Sequence, residues 1–89
     1  MKIKEGFVMR EVANQKMLIA TGKASESFRG MIKLNDSAAS IFKMLQEGLS
    51  CEKIIDEIAN TYAVSKDEAK NDIESLITVL KDAGVIIDD

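Results

Sequence analysis

Two periods of hydrophobic and polar positions divide the chain. Between Phe7 and Leu34 the apolar residues come in short runs rich in β-branched and bulky side chains, whereas from Ala38 to Leu80 they recur every three or four positions. Alternate residues share one face of a strand, and residues three and four apart share one face of a helix, so the first region predicts strands and the second helices.

In the first region, the runs Phe7 to Ala13 and Lys16 to Thr21 are separated only by Asn14 and Gln15. Asn tolerates the positive φ of a two-residue hairpin turn, so a hairpin turning at Asn14-Gln15 is expected. A polar loop runs from Gly22 to Ser27. The segment from Arg29 to Leu34 then alternates, with Gly30, Ile32 and Leu34 on one face and Arg29, Met31 and Lys33 on the other. This predicts a third strand, buried on one side only.

Three helices follow. Asn35 or Asp36 can cap the first, whose stripe is Ala38, Ile41, Phe42 and Leu45, with Gly48 placed to end it. Ser50 caps the second, which carries Cys51, Ile54, Ile55, Ile58, Ala59 and Tyr62 on one side. Ser65 with Glu68 has the spacing of a capping box for the third, whose stripe is Ala69, Ile73, Leu76, Ile77 and Leu80 before Gly84 terminates it. All three stripes need burial, and the connectors are too short to separate the helices. The expected fold class is therefore α+β, a three-stranded antiparallel sheet followed by a three-helix bundle in a winged helix-turn-helix-like layout, as one domain over residues 1–89.

Composition narrows the function. With 89 residues, one core can form but not two. No apolar run is long enough to cross a bilayer, and no secretory hydrophobic region follows Met1, so the chain is read as cytoplasmic with no membrane partner. One cysteine cannot close an internal disulfide. The net charge of −3 is unevenly spread: residues 1–34 hold seven Lys/Arg against three Glu, and residues 35–89 hold five Lys against twelve Asp/Glu. An acidic partner is drawn to the first third and repelled by the rest.

The chemistry that is absent excludes more. There is no histidine, which removes Ser-His-Asp and Cys-His catalysis and the commonest metal ligand. One cysteine cannot build a zinc site, no carboxylate loop has calcium spacing, and the isolated glycines form neither a P-loop nor a dinucleotide fingerprint. Cys51 stands at a helix start, where a thiol pKa can fall, but with no cation or base nearby it reads as a small apolar residue. Asp56-Glu57 and Asp67-Glu68 are adjacent and diverge on a helix, so they read as solvated charges. Met31 and Met44 read as core filler more than as an adaptable surface. The expectation is a non-enzyme with no cofactor and no metal.

Two binding functions are then weighed. A winged helix-turn-helix DNA-binding or regulatory protein would place helix three in the major groove, but residues 66–83 hold three Lys against five Asp/Glu, and phosphates would repel them. Peptide capture fits better, because a short third strand at a sheet edge offers unpaired N–H and C=O groups to an extended guest. The plain alternative is that Arg29 and Lys33 merely protect that edge.

The run Gly30-Met31-Ile32-Lys33-Leu34-Asn35-Asp36-Ser37-Ala38-Ala39 resembles the signature of the PqqD family. That family comprises peptide chaperones of pyrroloquinoline quinone (PQQ) biosynthesis and related recognition domains of ribosomally made, modified peptides (RiPPs). The resemblance continues through Ile54 to Ile58, Tyr62, Asp72-Ile73, Leu76, Leu80 and Gly84 to Ile86. It implies a chaperone for leader peptide recognition that delivers a precursor peptide to a radical S-adenosylmethionine enzyme or another peptide-modifying enzyme. Carried over, the peptide-binding positions are Arg29, Gly30, Met31, Ile32, Lys33 and Leu34 on the strand, and Asp72, Ser75, Leu76 and Val79 on helix three. Arg29 and Val85 depart from the quinone-pathway pattern, which has an acid before the glycine and an aromatic near the end. The departure bears on the pathway more than on leader recognition. Self-association as a homodimer is left open.

Overall fold

A computed structural model describes residues 2–22 and 31–87. The order of elements is β1 (Lys2–Ile3), β2 (Phe7–Val12), β3 (Gln15–Ala20), β4 (Met31–Leu34), α1 (Asp36–Gln46), α2 (Cys51–Tyr62), α3 (Lys66–Asp82) and β5 (Ile86–Ile87). The antiparallel sheet β2-β3-β4 followed by three helices is the α+β layout that the hydrophobic pattern predicts. A second sheet, β1 against β5, was not expected; it pairs Lys2 with Ile87 and Ile3 with Ile86, and Lys4 N–H extends it by donating to the Val85 carbonyl at 2.7 Å. Strands of two residues are too short to carry a periodic signal.

The hairpin turns one residue earlier than expected. Val12 faces Gln15, and the two turn residues are Ala13 (φ 52°) and Asn14 (φ 65°) instead of Asn14 and Gln15. A turn with both central residues at positive φ matches the right-handed twist of its strands, and this match overrides the cost of placing Ala13 there. The expected loop from Gly22 to Ser27 lies outside the described residues beyond Gly22, as do Arg29 and Gly30 of the expected third strand.

The helix starts follow the caps. Asn35 Oδ1 accepts from Ala38 N–H at 2.8 Å, Ser50 Oγ from Lys53 N–H at 3.2 Å and Ser65 Oγ from Glu68 N–H at 3.1 Å, each satisfying a donor that the first turn leaves unpaired. Gly48 and Gly84 end α1 and α3 at φ 83° and 79°, but α2 ends on Ala63 at φ 53°, where a Cβ is disfavoured. The apolar stripes meet in one cluster in which Leu18, Phe42, Ile54, Leu80 and Val85 are fully buried. A Ser40–Tyr62 hydroxyl contact of 2.9 Å also ties α1 to α2.

Candidate functional site

The ladder register determines which backbone groups of β4 are already used. In a two-residue hairpin the flanking pair, Val12 and Gln15, exchanges both hydrogen bonds, and bonded pairs then recur at every second residue. The bond from Thr21 N–H to the Gly6 carbonyl, 2.6 Å, confirms this parity at the far end. Gln15, Met17 and Ile19 therefore bond toward β2, and Lys16 and Leu18 toward β4, where they face Leu34 and Ile32. It follows that the N–H and C=O groups of Met31 and Lys33 point away from the sheet. Among the described residues no strand pairs with that edge.

Side chains alternate in the same rhythm. Ile32 is half-buried and Leu34 buried on the helix side, whereas Met31 and Lys33 are exposed on the outward face, Met31 by 59%. The chain leaves β4 at Asn35 and enters α1 at once. There a trough of about 210 Å³ opens, lined by Asn35, Ser37, Ala38 and Ile41 on one side and by Asp72, Ser75, Leu76 and Val79 of α3 on the other. Its floor is apolar; Leu76 is nearly buried, and Val79 is a large hydrophobic residue left 49% exposed. Asn35 holds its mouth in shape, accepting from Ser37 Oγ at 3.1 Å as well as from the Ala38 amide. The side chains of Asp72 and Ser75 make no hydrogen bond or ion pair among the described residues and are available to a guest.

Of the peptide-binding positions expected from the sequence, Met31, Ile32, Lys33 and Leu34 form the edge strand, and Asp72, Ser75, Leu76 and Val79 line the trough together. Arg29 and Gly30 lie outside the described residues. Sequence reasoning missed Asn35, Ser37, Ala38 and Ile41. Asn35 had been assigned only to capping, and Ala38 and Ile41 to the core stripe. The available signal was the small side chain of Ala38 at the first position of that stripe, which leaves a gap where a larger residue would have closed it.

The outward strand β2 also has a free edge, but it is β4 that runs directly into Asn35 at the mouth of this trough. β4 combines unpaired backbone groups with an adjacent apolar recess; among the described residues β1 and β5 also have free edges beside a recess lined by Ile3, Leu45, Leu49 and Ile86, but those strands are only two residues long. Among the described residues, no group of three or more His, Cys, Asp or Glu could hold a metal, and no helix is long and apolar enough to cross a membrane.

Comparison with known proteins gives a family and a fold. The family model described as Coenzyme PQQ synthesis protein D (PqqD) matches residues 17–86, which include β4, the trough and all three helices. No curated protein matches the chain. Among solved structures, the chain is similar to TbiB1 in complex with the TbiA(beta) leader peptide, at a TM-score of 0.75 and 21% identity over 99% of this chain and 100% of that one. It is also similar to a lasso peptide synthetase B1 complexed with the leader peptide, at a TM-score of 0.78 and 23% identity over 98% and 96% of the two chains. Both likenesses show a shared fold.

Proposed function

This chain belongs to the PqqD family, and on that premise we propose that it is a non-catalytic chaperone that binds the leader segment of a ribosomally made precursor peptide. The guest adds as a strand to β4 and lays side chains into the trough between α1 and α3, and the complex is delivered to a peptide-modifying enzyme. The observation that carries the proposal is the outward direction of the Met31 and Lys33 backbone groups beside an unfilled apolar recess. Main-chain bonds supply affinity in such an arrangement, and the recess supplies selection. Two chains of the same fold that are held with leader peptides support the reading. So does the lack of histidine, which removes the commonest proton shuttle.

DNA binding finds no comparable support. The helix that would enter the major groove carries Asp67, Glu68, Asp72, Glu74 and Asp82, and a phosphate backbone would be repelled.

The test is an amide-resolved NMR titration with the leader peptide encoded in the chain's own gene neighbourhood. Shifts are expected at Met31 to Ala38 and at Asp72 to Val79. Shifts confined to the β2 edge or to the α2 surface would overturn the assignment of the site.

A further inference from the structure

The two sides of the guest edge differ in charge. Across the outward face of the sheet the register aligns Val8, Ile19 and Met31 in one row and Arg10, Met17 and Lys33 in the next. Val8, Met17 and Ile19 are partly buried, yet none packs against the core cluster, which places them on the opposite face. Arg10 and Lys33 are exposed, and neither forms an ion pair among the described residues. Lys16, by contrast, lies on the helix side of the sheet and is engaged by Asp36 at 3.6 Å. Among the described residues the outward face next to β4 is thus positive and uncompensated, and Lys33 is its member nearest a guest. On the helix side, one ionisable side chain lines the trough among the described residues, and it is the carboxylate of Asp72.

A strand seated on β4 presents its residues alternately to these two environments, because directly opposed residues share a face and their neighbours take the other. Resting on the strand-addition reading above, we infer that the guest segment carries an acidic residue opposite Lys33, flanked on both sides by uncharged apolar residues that enter the trough. The pattern specifies parity as well as composition. Moved by one position, the guest carboxylate turns from Lys33 toward Asp72, and an attraction becomes a repulsion. One cross-strand charge pair changes affinity about two- to fivefold, so reversing its sign changes it by roughly four- to twenty-five-fold. That range is enough to shape a preference and leaves the backbone and the apolar anchor as the main sources of affinity.

The experiment selects a phage-displayed library of random peptides against the full chain and against Lys33→Glu in parallel. The wild type is expected to enrich peptides with Asp or Glu between two apolar residues, and Lys33→Glu to enrich Lys or Arg at that same position with the apolar neighbours retained. A synthetic wild-type binder whose acid is moved by one residue is expected to lose about tenfold in affinity. Identical charge patterns from both selections, or equal tolerance of the acid at either parity, would overturn the inference while leaving strand addition intact. If the selected peptides bind Lys33→Pro as well as they bind the wild type, strand addition itself fails, and the charge pattern fails with it.

Discussion

Proline at Met31 or Lys33 separates the role of the β4 edge in binding from its role in folding. Each of these residues directs its N–H away from β3, so a proline ring there removes no bond of the existing ladder, and edge strands tolerate proline in that orientation. What is lost is one donor to the guest, worth about 0.5–1.5 kcal/mol net, together with about 1–3 kcal/mol for the guest carbonyl left without a partner. The combined loss of about 1.5–4.5 kcal/mol corresponds to roughly a tenfold to two-thousandfold rise in Kd. Alanine at Lys33 keeps the N–H and forfeits only the cross-strand charge pair, so about a fivefold rise at most is expected. Proline at Ile32 behaves differently, because its N–H bonds to β3; this change is expected to lower the melting temperature. The assay is isothermal titration of a leader peptide into each variant, with an amide spectrum as the check on folding. Native spectra and unchanged Kd for both Met31→Pro and Lys33→Pro would refute the parity argument and the strand-addition mechanism with it.

Three further outcomes are expected. Ala38→Leu fills the trough from the α1 side at little cost to helix propensity and displaces an apolar guest anchor worth about 1.5–3 kcal/mol, so peptide Kd rises roughly ten- to a hundredfold by titration while the melting temperature holds. Ala63→Gly relieves the left-handed residue that ends α2 and stabilises the fold by about 0.5–1 kcal/mol in urea unfolding, with peptide affinity unchanged. Duplex DNA shows no shift in a gel assay at physiological salt, and a tight, salt-steep complex would contradict the charge argument on α3.

The helices were legible because their signals are redundant. Asn35, Ser50 and Ser65 cap the predicted starts, the apolar stripes face the core, and Gly48 and Gly84 stand just past the ends of α1 and α3. The hairpin was legible as a hairpin but not to the residue, since Ala13 gives no sign that it will adopt positive φ; only the pairing of Val12 with Gln15 demands it. The pairing of β1 with β5 was invisible because it joins the two ends of the sequence through two residues on each side. At the candidate site, the strand positions and the α3 row were expected from the family resemblance, and the structure brings the α3 row together on one wall of the trough. The α1 wall was not expected, because Ala38 and Ile41 serve the core and the trough together, and periodicity cannot divide one side chain between two surfaces.

The clasp of β1 on β5 holds Lys2 and Ile3 against Ile87 and Ile86, near Leu45, Gln46 and Leu49 where α1 finishes. The trough opens where α1 begins, and the helix of 11 residues puts about 16 Å between the two places. The clasp is thus fastened at the far end of α1 and leaves the receiving mouth unobstructed.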